Sequence, residues 1–258
     1  MKTIARRIQD IADSENVAVL GFGPAFALAE EPPGYRPDDL LPGARSLICF
    51  GIAVPMGVYR PFPFTIETVW RSQSLSYRRL DTLSVWFAAL LEEGGAQAVP
   101  VFGCMPMTLN GRGAVAGYLN QLRMGESVGI GTIGRNGLLI HSRYGARLML
   151  GGVVTTAELP LLRMPDIDQP GCPPDCRICV DACPIQAISA EKKRVSIMRC
   201  LNYTARTPLM SKIRFAVLRA TRPRSAARLM NTMAFDEHTL HICSRCVSLC
   251  PYGLEESQ

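Results

Sequence analysis

Eight of the ten cysteines in this chain follow one spacing pattern that is suited to binding iron. Residues 172–184 read Cys-Pro-Pro-Asp-Cys-Arg-Ile-Cys-Val-Asp-Ala-Cys-Pro, residues 243–251 read Cys-Ser-Arg-Cys-Val-Ser-Leu-Cys-Pro, and Cys200 stands alone between them. Two groups that end in C-x-x-C-x-x-x-C-P are typical of a pair of [4Fe–4S] clusters, in which the cysteine before each proline binds the other cluster. The pattern has one irregularity, because its first gap holds three residues instead of two.

The geometry of a cubane explains this spacing. A cubane needs four thiolates at the corners of a tetrahedron, and one tight C-x-x-C loop supplies only two or three of them. The proline after the last cysteine fixes φ and has no N–H, so it turns the chain away at that point. We therefore expect one cluster to be bound by Cys172, Cys176, Cys179 and Cys250, and the other by Cys183, Cys200, Cys243 and Cys246.

Zinc and disulfides are the alternative uses of such cysteines. Structural zinc would account for sets of four cysteines, but it gives no reason for two crossed sets that each end in Cys-Pro. Disulfides are not expected in a chain without a secretory signal. The two cysteines outside the pattern, Cys49 and Cys104, are interpreted as core or bystander residues.

Length and composition limit the class of protein. A chain of 258 residues can hold one large or two modest domains, and a net charge of +6 does not by itself indicate binding to nucleic acid. No apolar stretch approaches the length of a membrane span. Arg6 and Arg7 suggest a twin-arginine leader, but Asp10 and Asp13 follow and the next apolar run is short. We expect a soluble, cytoplasmic protein without membrane association.

The hydrophobic pattern divides the chain in two. Up to about residue 157 it alternates between expected helices (3–14, 66–93 and 113–124) and expected strands (17–21, 46–54, 98–102, 138–140 and 148–155). Prolines from Pro160 to Pro174 then mark the change to a cysteine-rich part that is poor in regular structure. We therefore expect one domain at residues 1–160 and a second at residues 161–258.

A glycine motif at residues 129–134 matches the dinucleotide fingerprint G-x-G-x-x-G. That motif binds a pyrophosphate only where it connects a strand to a following helix. Here the preceding segment has a helical pattern and the following one reads as a turn into a strand. The sequence therefore does not predict a dinucleotide site, although Gly131 and Gly134 suggest a tight backbone that could approach something large.

Several blocks occur in the order found in a known family. They are Asp-Asp-Leu-Leu-Pro-Gly-Ala-Arg-Ser-Leu-Ile at 38–48, Val-Gly-Ile-Gly-Thr-Ile-Gly-Arg-Asn-Gly-Leu-Leu-Ile at 128–140, Tyr-Gly-Ala-Arg at 144–147, Val-Val-Thr-Thr at 153–156 and Arg-Cys-Leu-Asn-Tyr at 199–203. With the crossed cysteines, they resemble the epoxyqueuosine reductase family and, more distantly, the catalytic part of reductive dehalogenases. The chain resembles a short form of that family, without its C-terminal helical-repeat extension.

The resemblance implies an α+β fold with two parts. Residues 1–160 are expected to form a nitroreductase-like domain that holds base-off cobalamin, and residues 161–258 a ferredoxin-like module with two [4Fe–4S] clusters. The clusters would pass electrons to the cobalamin, which would reduce a C–O or C–halogen bond of a small-molecule substrate. No histidine ligand to cobalt is required, so His141, His238 and His241 are interpreted as surface or packing residues.

The resemblance also suggests site residues. The expected corrinoid pocket contains Gly129, Gly131, Gly134, Arg135, Asn136, Tyr144 and Gly145. Epoxyqueuosine reductases carry an acidic proton donor in G-R-D-Y-H, but the comparable stretch at residues 71–79 has no aspartate. Tyr77 and Arg71 are therefore the candidates for chemistry, and the substrate is left open.

A basic insertion occupies residues 204–235. No acidic residue lies between Cys200 and Asp236, whereas positive side chains recur at Arg206, Lys212, Arg214, Arg219, Arg222, Arg224 and Arg228. It could be a solvated helical insert, a docking face for an acidic, low-potential donor such as ferredoxin or flavodoxin, or a face that contacts tRNA phosphates. Few aromatic residues accompany the charges, which favours the RNA interpretation least.

Two other functions remain compatible with the sequence. The chain could be an electron-transfer or activase protein that reduces a corrinoid or flavin on a partner. It could also be a reductase without a corrinoid, which uses flavin or acts directly on its substrate.

Overall fold

The computed structural model describes residues 1–61, 63–103, 107–109, 115–163, 171–189, 191, 195–206, 209–222, 224–226, 240–241 and 243–253. Within them the helices are α1 (Lys2–Ser14), α2 (Pro37–Leu40), α3 (Thr65–Glu93), α4 (Gln121–Ser127), α5 (Ile178–Asp181), α6 (Ile197–Thr204), α7 (Leu209–Thr221) and α8 (Arg245–Ser248). The strands are β1 (Val19–Pro24), β2 (Ser46–Ala53), β3 (Ala98–Val101), β4 (Met107–Leu109), β5 (Val115–Gly117), β6 (Thr132–Ile133), β7 (Leu139–Ile140), β8 (Leu148–Thr155), β9 (Ala205–Arg206) and β10 (Leu240–His241).

A four-stranded antiparallel sheet forms the centre of the first 163 residues. Its strand order is β1-β2-β8-β3, so the two long strands β2 and β8 lie in the middle. In this register Cys49 faces Gly21 on one neighbour and Gly152 on the other. The remaining short strands pair outside this sheet, as β4 with β5, β6 with β7 and β9 with β10.

Both faces of the sheet are covered. Successive side chains of a strand point to opposite faces, so Ile48 and Phe50 of β2 pack with α1 and α3, whereas Leu47 and Cys49 pack with α4 and the segment after it. This explains why β2 reads as a continuous apolar run instead of alternating with polar residues. The mixed helix-and-strand architecture expected from the sequence is confirmed.

Helix α3 is the longest helix in the described part of the chain and is amphipathic. Its buried residues Leu80, Leu83, Phe87 and Leu91 recur every three or four positions and lie against the sheet. The helix ends at Gly94, and Gly95 then adopts a positive φ of 82°, which a glycine tolerates best. The prediction of a helix over residues 66–93 is confirmed, as are the predicted helix over 3–14 and the predicted strand over 148–155.

The helix predicted over residues 113–124 is wrong. Residues Val115–Gly117 form strand β5, and α4 begins only at Gln121. Asn120 explains the late start, because its side chain accepts a hydrogen bond from the N–H of Arg123 and so caps α4. The glycine motif at 129–134 nevertheless follows a helix and precedes a strand, which is the reverse of a dinucleotide site.

The residues interpreted as core components are only partly covered by the structure. Cys49 is fully buried, and burial raises the pKa of its thiol to about 12, so it is a core residue. His141 is also buried, with its ring centre 5.0 Å from that of Tyr144. Cys104 and His238 lie outside the described residues. Among the helices that are described, none is long and apolar enough to cross a membrane.

The packing of α3 on the sheet gives a stability prediction. Phe87 is fully buried and meets Phe50 edge to face, with ring centres 5.0 Å apart. Phe87→Ala should lower the free energy of unfolding by about 3–5 kcal/mol, because it leaves a cavity. The neighbouring Trp86 is half exposed, so Trp86→Ala should cost much less. Urea unfolding followed by circular dichroism measures both values, and equal losses would contradict this account of the core.

Candidate redox site

The two Cys-Pro groups form structurally matching turns. Helices α5 and α8 occupy the same place in each group and pack on each other. The N–H groups of Cys183 and Cys250 each donate to the carbonyl three residues earlier, at 3.2 Å in both cases. Three residues later the backbone takes a positive φ in both groups, 50° at Gln186 and 75° at Gly253. The second group is therefore a structural repeat of the first.

One set of four cysteines gathers around Cys179. Burial is the main cause that raises the pKa of the Cys179 thiol to about 11, and the negative charges of three other cysteines add to it. Those three are Cys172, Cys176 and Cys250. The structure thus brings together the four residues that the crossed pattern assigns to one cluster.

The other set gathers around Cys246. Burial raises the pKa of the Cys246 thiol to about 12, with further contributions from the charges of Cys200, Cys243, Cys179 and Cys183. Three of these four belong with Cys246 in the predicted second set. The contribution of Cys179 indicates that the two sets are neighbours.

The donor set of these groups is suited in its chemistry to [4Fe–4S] clusters. Among the described residues, no three His, Cys, Asp or Glu side chains lie close enough together to hold one metal ion. Thiolates at the corners of a cubane lie farther apart than thiolates around a single zinc ion, and thiolate sulfur is the donor that iron–sulfur clusters require. Iron binds the thiolate form of cysteine, so cluster binding would release the protons of these thiols.

The segment between α4 and β8 packs against the cysteine loops. The backbone N–H of Arg135 donates to the sulfur of Cys172 at 3.3 Å. The side chain of Asn136 donates to the carbonyl of Cys246 at 3.0 Å, so it contacts the other set. Hydrogen bonds of this kind to cluster sulfurs and their loops are among the features that set a cluster's reduction potential.

The seven residues predicted to form a corrinoid pocket lie in and near this segment. Gly131 and Gly134 pack closely on Ile140, and Gly145, with a φ of 56°, lies directly against the carbonyl of Tyr252. None of the seven lies on the described wall of the large cavity formed mainly by α3, β3 and β8. The structure places Arg135, Asn136 and Gly145 against the cysteine part, and their role in a corrinoid site stays a prediction.

A cavity of about 720 Å³ lies beside the cysteine groups. Its wall is formed by residues from α3, β3, β8 and the segment before α4, and by Ile197 and Val247 from the cysteine-rich part. Val247 follows the cysteine ligand candidate Cys246 directly in the sequence. Four tyrosines line the cavity, namely Tyr35, Tyr59, Tyr77 and Tyr118. This volume lies in the upper part of the range for small-molecule sites, roughly 300–1,000 Å³.

The two residues predicted for chemistry are placed differently. Tyr77 lies on the cavity wall, and its ring rests on Gly103, where any side chain would collide with the ring. Arg71 is exposed and does not line the described wall of the cavity. The roles of both stay predictions, but only Tyr77 can contact a molecule in the cavity.

Sequence reasoning missed Tyr59 and Arg147 as site residues. Tyr59 is buried, hydrogen-bonds to the side chain of Gln73 and lies near both Arg147 and Cys246. Burial is the main cause that raises the pKa of Tyr59, and the negative charge of Cys246 raises it further. The hydrogen bond to Gln73 and the positive charge of Arg147 act in the opposite direction and lower the pKa. Tyr59 thus connects the cavity with the second set of cysteines.

Relatives of known name match parts of the chain, whereas no protein-family model matches it. An epoxyqueuosine reductase of Lactococcus garvieae is 30% identical over 53% of this chain and 33% of its own length. Another, of Gloeobacter violaceus, is 25% identical over 91% of this chain and 64% of its own length. A tetrachloroethene reductive dehalogenase of Desulfitobacterium hafniense is 44% identical over 63% of this chain and 26% of its own length. The chain therefore spans less than two thirds of the length of each of these relatives.

Solved structures share the fold. An epoxyqueuosine reductase from Streptococcus thermophilus superposes with a TM-score of 0.60, covering 97% of this chain and 66% of its own, at 18% identity. An epoxyqueuosine reductase in complex with a tRNA stem loop superposes with a TM-score of 0.56. A reductive dehalogenase, for which a B12-dependent mechanism is suggested, gives 0.55 over 93% of this chain and 37% of its own, at 14% identity. The resemblance predicted from the sequence is confirmed.

The crossing of the cysteine sets can be tested with paired variants. If Cys250 belongs with Cys172, then Cys172→Ala/Cys250→Ala should lose only one cluster and keep about four irons per chain. In contrast, Cys246→Ala/Cys250→Ala should lose both clusters. Iron and sulfide analysis after anaerobic reconstitution measures the difference.

Uncrossed binding would reverse this result, since Cys246 and Cys250 would then share a cluster and their double variant would keep about four irons. Cys49→Ala is the matched control. Cys49 is a buried cysteine outside both sets, so its variant should keep about eight irons.

Proposed function

Because this chain is related in sequence to epoxyqueuosine reductases and reductive dehalogenases and shares their fold, we propose that it is an iron–sulfur reductase. The cysteine-rich part would hold two [4Fe–4S] clusters that supply single electrons, and the large cavity would hold a base-off cobalamin able to reduce a C–O or C–halogen bond. The observation that carries this proposal is that the second set of cysteines adjoins the cavity through Val247 and Tyr59. We also propose that residues 1–160 and 161–258 are its nitroreductase-like and ferredoxin-like domains, and that it works in the cytoplasm.

The cysteine part would hold the clusters and set their potentials. Cys172, Cys176, Cys179 and Cys250 would bind the first cluster, and Cys183, Cys200, Cys243 and Cys246 the second. When bound, such clusters accept and release single electrons. The N–H groups of Arg135 and Ala187 donate to the sulfurs of Cys172 and Cys183, at 3.3 and 3.2 Å, and so stabilise negative charge on those sulfurs.

The cavity wall would position the corrinoid and exclude water. When bound, the corrinoid supplies a cobalt centre that can be strongly reduced. The apolar side chains Leu148, Met149, Leu150 and Val247 cover much of the wall.

Tyrosine side chains would supply the proton. Tyr77 lies on the cavity wall and can present its hydroxyl to a bound molecule. Tyr59 lies on the same wall, and its hydroxyl is held by Gln73 beside the positive charge of Arg147. A neighbouring cation stabilises the phenolate that remains after proton transfer. Arg71 is exposed and lies outside the described wall, so a role for it in the chemistry stays a prediction.

Reconstitution with cobalamin tests this function. The anaerobic, iron-loaded protein should retain cobalamin through gel filtration and show the electron paramagnetic resonance signal of base-off Co(II). Retention of about eight irons without uptake of cobalamin would instead favour an activase or a corrinoid-free reductase. Flavin added in place of cobalamin then separates these two alternatives, since only a flavin-dependent reductase would retain it.

Helix α7 is the proposed docking site of an acidic electron donor. Its exposed apolar residues are Leu209, Met210, Ile213 and Val217, and the exposed arginines on it and just after it are Arg214, Arg219, Arg222 and Arg224. Apolar contact surrounded by positive charge suits ferredoxin or flavodoxin, whose negative surface it would attract. The tRNA stem loop bound by a related enzyme makes RNA phosphates the alternative partner.

Charge reversal on this helix should slow reduction by the donor. Arg219→Glu/Arg222→Glu should reduce the rate of cluster reduction by ferredoxin about ten-fold or more at low salt, because steering is lost. Stopped-flow absorbance measures this rate, and reduction by dithionite should be unaffected.

The control variant carries the same change of net charge on helix α1. Arg6→Glu/Arg7→Glu alters two exposed arginines and should leave the rate nearly unchanged. Equal rates for all three proteins would refute docking at α7. Weaker binding of a tRNA stem loop by the α7 variant, with ferredoxin reduction unchanged, would support the RNA alternative.

A further inference from the structure

Arg147 is a positively charged residue on the wall of the large cavity. It lies directly before β8, and its guanidinium donates to two backbone carbonyls, that of Val54 at 2.7 Å and that of Gly253 at 3.3 Å. These bonds fix the orientation of the guanidinium. Its Nε atom is buried and has no hydrogen-bond partner among the described residues.

The charge of Arg147 is not balanced by a carboxylate. No ion pair of Arg147 occurs within the described part of the chain. One acidic residue, Glu31, lines the described cavity wall, and it pairs with Arg123 at 3.8 Å. A half-buried cation without a counter-charge is unfavourable, because burial removes part of its hydration. Burial accordingly lowers the pKa of Arg147, against the opposing influence of Tyr59 and Tyr144.

We propose that Arg147 binds an anionic oxygen group, a phosphate or a carboxylate, of the molecule that occupies the cavity. The inference rests on the proposed function only in taking the cavity as a ligand site. A guanidinium is suited to this role, because its planar N–H groups match the oxygens of phosphates and carboxylates. Gln73 and Tyr59, on the same wall, can donate further hydrogen bonds to such a group.

Two molecules could bring this anionic group into the cavity. One is the corrinoid itself, whose nucleotide tail carries a phosphate. The other is a substrate with a carboxylate. The neighbouring tyrosines Tyr35, Tyr59 and Tyr77 would accept either molecule, since aromatic walls contact flat or apolar groups of many kinds.

Two matched pairs of probes distinguish these sources. Cobalamin carries the nucleotide phosphate and cobinamide lacks it, whereas benzoate is charged and benzamide is neutral. Each probe is titrated into the anaerobic, iron-loaded wild-type protein and into Arg147→Gln, with binding measured by calorimetry. Loss of a charge-assisted hydrogen bond should weaken binding of the probe that bears the phosphate or carboxylate about 10- to 100-fold and leave binding of its partner unchanged.

Further variants guard against a merely structural effect. Arg147→Lys keeps the positive charge, so it should retain part of the preference for the charged probe. Arg79→Gln removes an arginine that pairs with Glu15 at 3.2 Å and lies outside the described wall of the cavity, so it should bind all probes as the wild type does. If Arg147→Gln does not fold, the affinities of Arg147→Lys for the four probes, compared with those of the wild type, test the anion site instead.

The outcomes separate this inference from the proposed function. Equal affinities of wild type and Arg147→Gln for all four probes would overturn the inference, as would an equal loss of affinity for the probes with and without the anionic group. Failure of the wild type to bind either corrinoid, with an Arg147-dependent preference for benzoate, would overturn the proposed cofactor and keep the anion site.

Discussion

The thiols of Cys172, Cys176, Cys179 and Cys250 repel one another when they ionise, and burial makes the charge on Cys179 still less favourable. The thiols of the second set, around Cys246, are subject to the same repulsion and burial. A cationic [4Fe–4S] core would reduce this repulsion, because iron binds the thiolate form and offsets part of its negative charge. On the proposed function, the folding of the cysteine part and the loading of iron are therefore one process, and the remaining contacts of this part depend on it.

The proposed crossed arrangement would make this process connect distant parts of the chain. Cys250 would complete the first set although it lies more than seventy residues after Cys179. Asn136 and Arg135, from the segment before β8, hydrogen-bond to the loops of both sets. Gly253, just beyond the last cysteine, accepts a hydrogen bond from Arg147 on the cavity wall. Loss of iron should therefore disturb the cavity as well as the clusters.

The sequence predicted those features that depend on local spacing. The cysteine sets follow from fixed intervals around Cys-Pro, and α3 follows from apolar residues that recur every three or four positions. The helix predicted at 113–124 failed because its pattern did not show the cap at Asn120. Local periodicity carries no information about which distant segments meet in space.

The cavity is the main feature that could not be predicted. Its wall combines residues that are distant in the sequence, from Glu31 to Val247, so no single motif identifies it. Tyr59 lies in an aromatic and proline-rich stretch that does not indicate a site, and Arg147 stands out in the sequence only as part of a family block. The glycine-rich segment was correctly read as a tight backbone, but the structure places it against the cysteine loops.

The central claim is that the second cysteine set adjoins the cavity and delivers electrons to a corrinoid bound there. Magnetic coupling between a reduced cluster and cob(II)alamin, seen as broadening in electron paramagnetic resonance spectra, tests this claim most directly. The account predicts that the broadening persists in Cys172→Ala, which lacks the first cluster, and disappears in Cys243→Ala, which lacks the second. Broadening that disappears in Cys172→Ala and persists in Cys243→Ala would contradict it.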